Sequence, residues 1–181
     1  MKAACGTGHR TDKFKWFDEK KSYVENECAL QCVLIKQMLE EQVRALIADG
    51  YDYFYSGMAL GFDTWLAECV IKLRKEFPHI KLEAAIPCYD QEKVWPNEED
   101  RTRYHNILAQ CDKKTYVSKD YYKPYYMIKR NRYMVDRSDI VIACYDGTPG
   151  GTRDAYSYAI NEGVEIINID PNIMSVRRVK F

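Results

Sequence analysis

Apolar residues fall into two alternating kinds of segment along the chain. Short apolar runs at Lys2 to Cys5, Tyr51 to Tyr55, Leu82 to Ile86, Lys114 to Val117, Ile140 to Tyr145 and Glu165 to Ile169 read as β-strands. Most of them lack the in-and-out alternation of a sheet with one wet face, as strands covered on both sides do. Between the first two runs, Val24, Cys28, Val33, Ile35, Leu39, Val43 and Leu46 recur at roughly helical spacing and predict one long amphipathic helix ending near Gly50. Further helices are predicted over Thr64 to Glu76, Glu98 to Cys111, Tyr125 to Asp136 and Arg153 to Asn161. Strands and helices in alternation specify an α/β fold: one three-layer domain over residues 1–181, with a mostly parallel sheet of about six strands and helices on both faces. Right-handed crossovers then bring every strand-to-helix loop to the C-terminal edge of the sheet, where open α/β folds bind ligands.

Composition narrows the function classes. The chain has 181 residues, 46% of them hydrophobic, enough for one sizeable core. Lys+Arg and Asp+Glu both number 27, so no global field draws the molecule to nucleic acid or an anionic membrane, and any anion site must be local. No apolar leader and no apolar run of membrane-spanning length is present, so a cytoplasmic protein without membrane contact is expected. Seven cysteines without a Cys-x-x-Cys pair fit neither a disulfide framework nor a zinc site; they read as small reduced hydrophobes, and no metal is expected.

Four stretches at the predicted edge carry unusual chemistry. After the first strand, "GTGHR" supplies Gly6, Thr7, Gly8, His9 and Arg10: either a tight turn or a loop whose free amides cradle an anion. After the second, "SGMALGFD" supplies Ser56 as a candidate cap, Gly57 and Gly61 around the turn, and Asp63 in the first helical turn. Asp63 would repel a phosphate there, so it reads as a ribose-hydroxyl ligand or as a plain complement to the helix dipole. "KRNRYMVDRSD" places Lys129, Arg130, Arg132 and Arg137 on one helix, with Arg130 and Met134 on a shared face; a solvated charged helix is the plain alternative. "DGTPGGTRDA" then offers Asp146, Gly147, Gly150 and Gly151, with Thr152 as a candidate N-cap, a loop suited to a phosphate or to a structural turn.

These motifs resemble a known superfamily. Ser56-Gly57-x-Ala59-x-Gly61-Phe62-Asp63 is similar to the Ser-Gly-x-Ala-x-Gly-Ile-Asp signature of the DNA-processing protein DprA, and the Asp146 to Thr152 loop resembles the Pro-Gly-Gly loop of the LOG phosphoribohydrolases. Together they resemble the SMF/DprA–LOG (SLOG) superfamily, and the "GTGHR" start resembles its small YpsA-like branch. The resemblance implies a Rossmann-like sheet whose loops hold a nucleotide or a nucleotide derivative such as a nucleoside phosphate, NAD or ADP-ribose. It also implies that Arg130, which keeps the LOG spacing to Met134 and Asp139, would be catalytic together with a carboxylate. Here the LOG glutamates are absent: Asp154 stands at the first position and Ala155 at the second. The shorter carboxylate matters, because displacements near 1 Å cost about 10²-fold in rate.

Three readings follow. The first is a nucleotide-binding or sensing protein with no bond broken. The second is an N-glycosidase or deoxyribosyltransferase-like enzyme using Arg130 and Asp154. The third is single-stranded DNA binding as in DprA, with Lys113, Lys114, Lys119, Lys123 and Arg132 following the backbone and tyrosines stacking bases. The expected partner is a nucleotide-type small molecule, with single-stranded DNA the lesser reading; no separate cofactor is expected, and assembly into a homo-oligomer is left open.

Overall fold

The computed structural model describes residues 1–181. Seven strands form one sheet in the order β4-β3-β2-β1-β5-β6-β7, where β1 is Lys2–Gly8, β2 Tyr51–Ser56, β3 Lys81–Ile86, β4 Lys113–Tyr116, β5 Ile140–Cys144, β6 Glu165–Asp170 and β7 Ser175–Val179. The first six are parallel; β7 folds back antiparallel on β6. The mostly parallel α/β sheet is therefore as expected, with one strand more. β7 was not legible because its residues, Ser-Val-Arg-Arg-Val, are almost all exposed and carry no buried apolar run.

Chain order explains where a site can form. From β1 the chain steps outward through β2 and β3 to β4, then crosses back to β5 on the opposite side of β1. The loops after β1 and β5 thus diverge at the topological switch point, where a crevice opens. Helix α2 (Leu30–Ala48) and helix α3 (Phe62–Leu73) cover one face with α4 (Glu98–Ala109) beside α3, and α5 (Pro124–Val135) and α6 (Gly151–Asn161) cover the other. The larger core, 31 buried residues around Phe54, Trp65 and Leu66, lies under α2 and α3; a smaller one of 11 lies under α5 and α6. Successive β1 residues alternate between them, Ala4 toward α2 and α3, Ala3 and Cys5 toward α5 and α6.

Two local differences from the sequence pattern matter. The long helix predicted from Val24 is interrupted: α1 (Tyr23–Asn26) is a single turn closed by a Ser22–Glu25 capping box, and α2 begins only at Leu30. The Asn26 side chain anchors the short helix: its amide donates to the carbonyls of Asp18, Lys21 and Ser22 and its oxygen accepts from Asp18 N–H, tying the helix to the preceding turn. And β1 extends through Gly8, with Gly6, Thr7 and Gly8 opposite Ile142, Ala143 and Cys144. Gly6 and Gly8 are therefore ladder residues rather than an anion nest. They let α3 approach, since a Cβ on either would collide with Leu66 or Phe62.

Candidate ligand-binding cleft

A polar cleft of about 340 Å³ opens at the switch point between the loop after β1, the N-terminus of α6 and helix α5. Of the residues expected to touch ligand, Thr7, Gly8, His9, Arg10, Asp63, Gly150, Gly151 and Thr152 line it, as does Arg130. Gly6, Ser56, Gly57, Gly61 and Asp146 lie behind this lining, Gly147 is exposed outside it, and Asp154 faces a neighbouring hollow between α5 and α6 beside Arg132 and Tyr158.

The residues behind the lining build it. Gly61 precedes α3 with φ +86°, and a side chain there would strike the His9 carbonyl and the Thr11 amide. The β1 loop thereby folds over the start of α3: Phe62 N–H donates to His9 O, and Thr64 N–H to Ala59 O. The α3 N-terminus is consequently filled by protein and offers no free anion seat. Ser56 is not its cap; the hydroxyl donates to Asp63 O at 2.7 Å and accepts from Met58 N–H at 3.1 Å, holding the turn after β2.

Asp146 ties the two sides of the crevice together. One carboxylate oxygen accepts from His9 Nε2 at 2.8 Å and from the Thr148 hydroxyl and amide at 2.6 and 3.0 Å; the other accepts from Asn172 at 3.2 Å. Burial alone would raise its pKa, but the Thr148 bonds and His9 outweigh it and hold the carboxyl well below the usual range.

At the cleft floor, Asp63 and Arg130 form a buried pair at 3.4 Å with side chains 7% and 6% exposed. Burial pushes the Asp63 carboxyl up against the pull of Arg130, and pushes Arg130 down despite Asp63. Arg130 also donates through Nη1 to Gly57 O and through Nε to Asn131 Oδ1 at 2.8 Å. Asp63 is thus countered by an arginine far away in sequence, which one-dimensional spacing does not reveal.

The N-terminus of α6 faces the same space. Gly150, at φ 147°, is the N-cap, no side chain caps the helix, and Thr152 is its second residue rather than its cap. Its first-turn amides are therefore available to an acceptor. Four further residues line the cleft that the motifs did not single out: Asp12, Lys13, Met127 and Asn131. A 3₁₀ turn at Thr11–Lys13, entered from the extended Arg10, brings Lys13 to the cleft that Arg10 also lines, while Asp12 lies against the Tyr23 hydroxyl. Sequence offered a signal for Lys13 only in its closeness to the "GTGHR" motif. The lining holds no Phe, Tyr or Trp, and its apolar residues are Ala59, Met127 and Pro149; Trp95 is buried against Tyr104, and Tyr89 packs on Tyr116.

Elsewhere the surface is less suited to a ligand. A larger open groove of about 1080 Å³ runs between α2, α3 and α4, but Arg103 binds Glu27 and Glu68 bidentately across it and leaves those charges satisfied. All seven cysteines are free; Cys5, near the cleft floor, is pushed up to about 12 by burial and is no nucleophile. No group of His, Cys, Asp and Glu side chains is placed to hold a metal ion, and no helix is long and apolar enough to cross a membrane.

A parallel sheet with its cleft at the switch point and an uncapped helix N-terminus facing it defines a Rossmann-like protein of the type the motifs implied. The chain belongs to the YspA SLOG family, whose model matches residues 4–174. It is similar to a UPF0398 protein of Bacillus pumilus, 35% identical over 153 residues, covering 84% of this chain and 77% of the relative. Among solved structures it shares its fold with DNA processing protein A of Helicobacter pylori (TM-score 0.59, 17% identity, 93% of this chain and 65% of that one). The same holds for DNA processing protein A of Streptococcus pneumoniae (TM-score 0.56, 16% identity, 93% of this chain), of which the chain spans half the length.

Proposed function

We propose that this protein binds a nucleotide or nucleotide derivative at the switch-point cleft, with a phosphoryl group on the α6 N-terminus and without cleaving the ligand. The observation that carries the reading is the uncapped start of α6, opening with buried Arg130 and the Gly150–Gly151 turn onto one polar cavity. Binding is favoured over glycosidic hydrolysis by the placement of carboxylates. Asp154 points to a different hollow from Arg130, and Asp63, the carboxylate beside Arg130, is engaged by it. A general acid or an oxocarbenium-stabilising group would have to face the substrate. Seven unpaired cysteines favour a reducing, cytosolic setting for this activity.

A second reading has its own support. DNA processing protein A of Helicobacter pylori, which shares this fold, binds single-stranded DNA. In this chain, exposed Tyr116, Tyr121 and Tyr125 accompany Lys114, Lys119 and Lys129, none of them in an ion pair, away from the cleft. Stacking rings and free cations suit a single strand.

A thermal-denaturation panel with nucleoside phosphates, NAD, ADP-ribose and a short single-stranded oligonucleotide tests both. A ligand at about 100 times its dissociation constant adds roughly 2.7 kcal/mol of stability. Stabilisation by a nucleotide that is abolished in Arg130→Met supports the cleft. Stabilisation by the oligonucleotide alone supports the tyrosine and lysine surface, and no shift with any compound refutes both.

A further inference from the structure

Several donors in the cleft have no partner in the protein, and they fall into two groups. At the inner end, Thr7 of β1 and Thr152 of α6 are each more than nine-tenths buried, yet their hydroxyls line the cavity without a hydrogen bond. Arg130 spends Nε and Nη1 on Asn131, Gly57 and Asp63 and leaves Nη2 without an acceptor. None of these three groups is sealed off from solvent, so each reaches the cavity; three such donors from three elements, beside free helix amides, mark the seat of an acceptor-rich group. At the mouth, Arg10, which precedes the 3₁₀ turn, and Lys13, which ends it, both line the cleft, exposed and with no carboxylate at ion-pair distance. The charge of Arg10 bears on both Asp63 and Arg130, so mouth and inner seat are electrostatically continuous.

Charge and shape then limit what fits. The inner cation is already countered by Asp63, so this seat alone does not neutralise a phosphate dianion; the net positive charge sits at the mouth, where Arg10 and Lys13 outnumber Asp12. With no Phe, Tyr or Trp in its wall, the His9 ring tied to Asp146 and only Ala59, Met127 and Pro149 apolar, the cavity suits phosphate and sugar rather than a base. We propose that the cleft takes a diphosphate: one phosphoryl group on Thr7, Thr152, Arg130 and the α6 amides, the next between Arg10 and Lys13, with the nucleoside leading outward. This rests on the nucleotide-binding reading and narrows it to nucleotides bearing a diphosphate.

Calorimetric titration of the full chain with AMP and ADP, GMP and GDP, CMP and CDP, and UMP and UDP, beside phosphate and pyrophosphate, compares the two classes with the base held constant. For at least one base the diphosphate is expected to bind 10-fold or more tightly than its monophosphate. That ratio is expected to fall to about one in the double variant Arg10→Gln, Lys13→Gln, whose changes are at exposed positions. Thr7→Val is expected to weaken both members of the pair alike, about 10-fold, and Thr7→Ser to restore them. Equal mono- and diphosphate affinities, or a ratio that survives the double variant, overturn the diphosphate seat while leaving nucleotide binding intact. If pyrophosphate binds as tightly as the best nucleotide, the seat stands and the nucleotide reading fails. Absence of binding by every compound overturns both.

Discussion

Gly57 has no side chain, yet its carbonyl accepts from two buried side chains far away in sequence, Arg130 of α5 through Nη1 and Gln91 of the loop after β3 through Nε2 at 3.1 Å. A Cβ at this position would overlap the Arg130 guanidinium and crowd the Asp63 carboxylate. Gly57→Val is therefore expected to displace Arg130 from the cleft floor, destabilise the protein by about 1–3 kcal/mol and abolish the nucleotide-dependent rise in melting temperature. A variant that keeps the full ligand shift would show that Arg130 is not part of the seat. The motif around Gly57 was visible in the sequence, but its reason was not. The glycine read as a place where backbone meets ligand, and the structure makes it a place where backbone meets the arginine that faces the cleft.

Elements hold the cleft by fixing the sheet on which its loops ride. The completely buried Glu83 of β3 accepts hydrogen bonds from Tyr53 of β2, Thr115 of β4 and Tyr133 of α5, each at 2.7 Å, with Lys113 at 3.1 Å. Burial opposes its charge, but these donors prevail and hold its pKa below the usual range. Glu83 thus fastens the edge strand β4 and the helix that carries Arg130. Glu83→Ala leaves four donors without their acceptor and is expected to cost about 3 kcal/mol, and Tyr133→Phe about 1 kcal/mol, in urea unfolding. A cost near zero for Glu83→Ala would mean that water satisfies the donors. Such a node was hidden in the sequence, where Glu83 is one acid in the apolar run of β3. The central parallel strands were legible because burial on both faces leaves a mostly apolar run, whereas an exposed edge strand such as β4 or β7 needs none, and β7 was missed for that reason.

At the scale of the molecule, the crevice is closed by the clasp of His9 and Asp146 across the loops after β1 and β5. The Asp146 carboxyl titrates lower in the folded than in the unfolded protein. Its contribution to stability is therefore complete above the unfolded value, about pH 4, and is lost as the pH falls through the folded one. Asp146→Asn is expected to lower stability at pH 7 by about 1–3 kcal/mol, with the gap to wild type narrowing below about pH 4. Chemical denaturation across that range checks it; a gap independent of pH would contradict the role of the charge. The sequence by itself determined the alternation of strand and helix, the edge where loops gather and the glycine-rich motifs that place the chain in its family. Those signals are local: they follow from a period of two or 3.6 residues and from the backbone demands of turns. Tertiary structure alone decided which polar groups have partners: Asp63 countered by Arg130, Asp146 bound to His9, Thr7 and Thr152 left with free hydroxyls, and Lys13 brought to the cleft that Arg10 lines. Partnership depends on the crossover that returns the chain from β4 to β5, and no short window of sequence contains it.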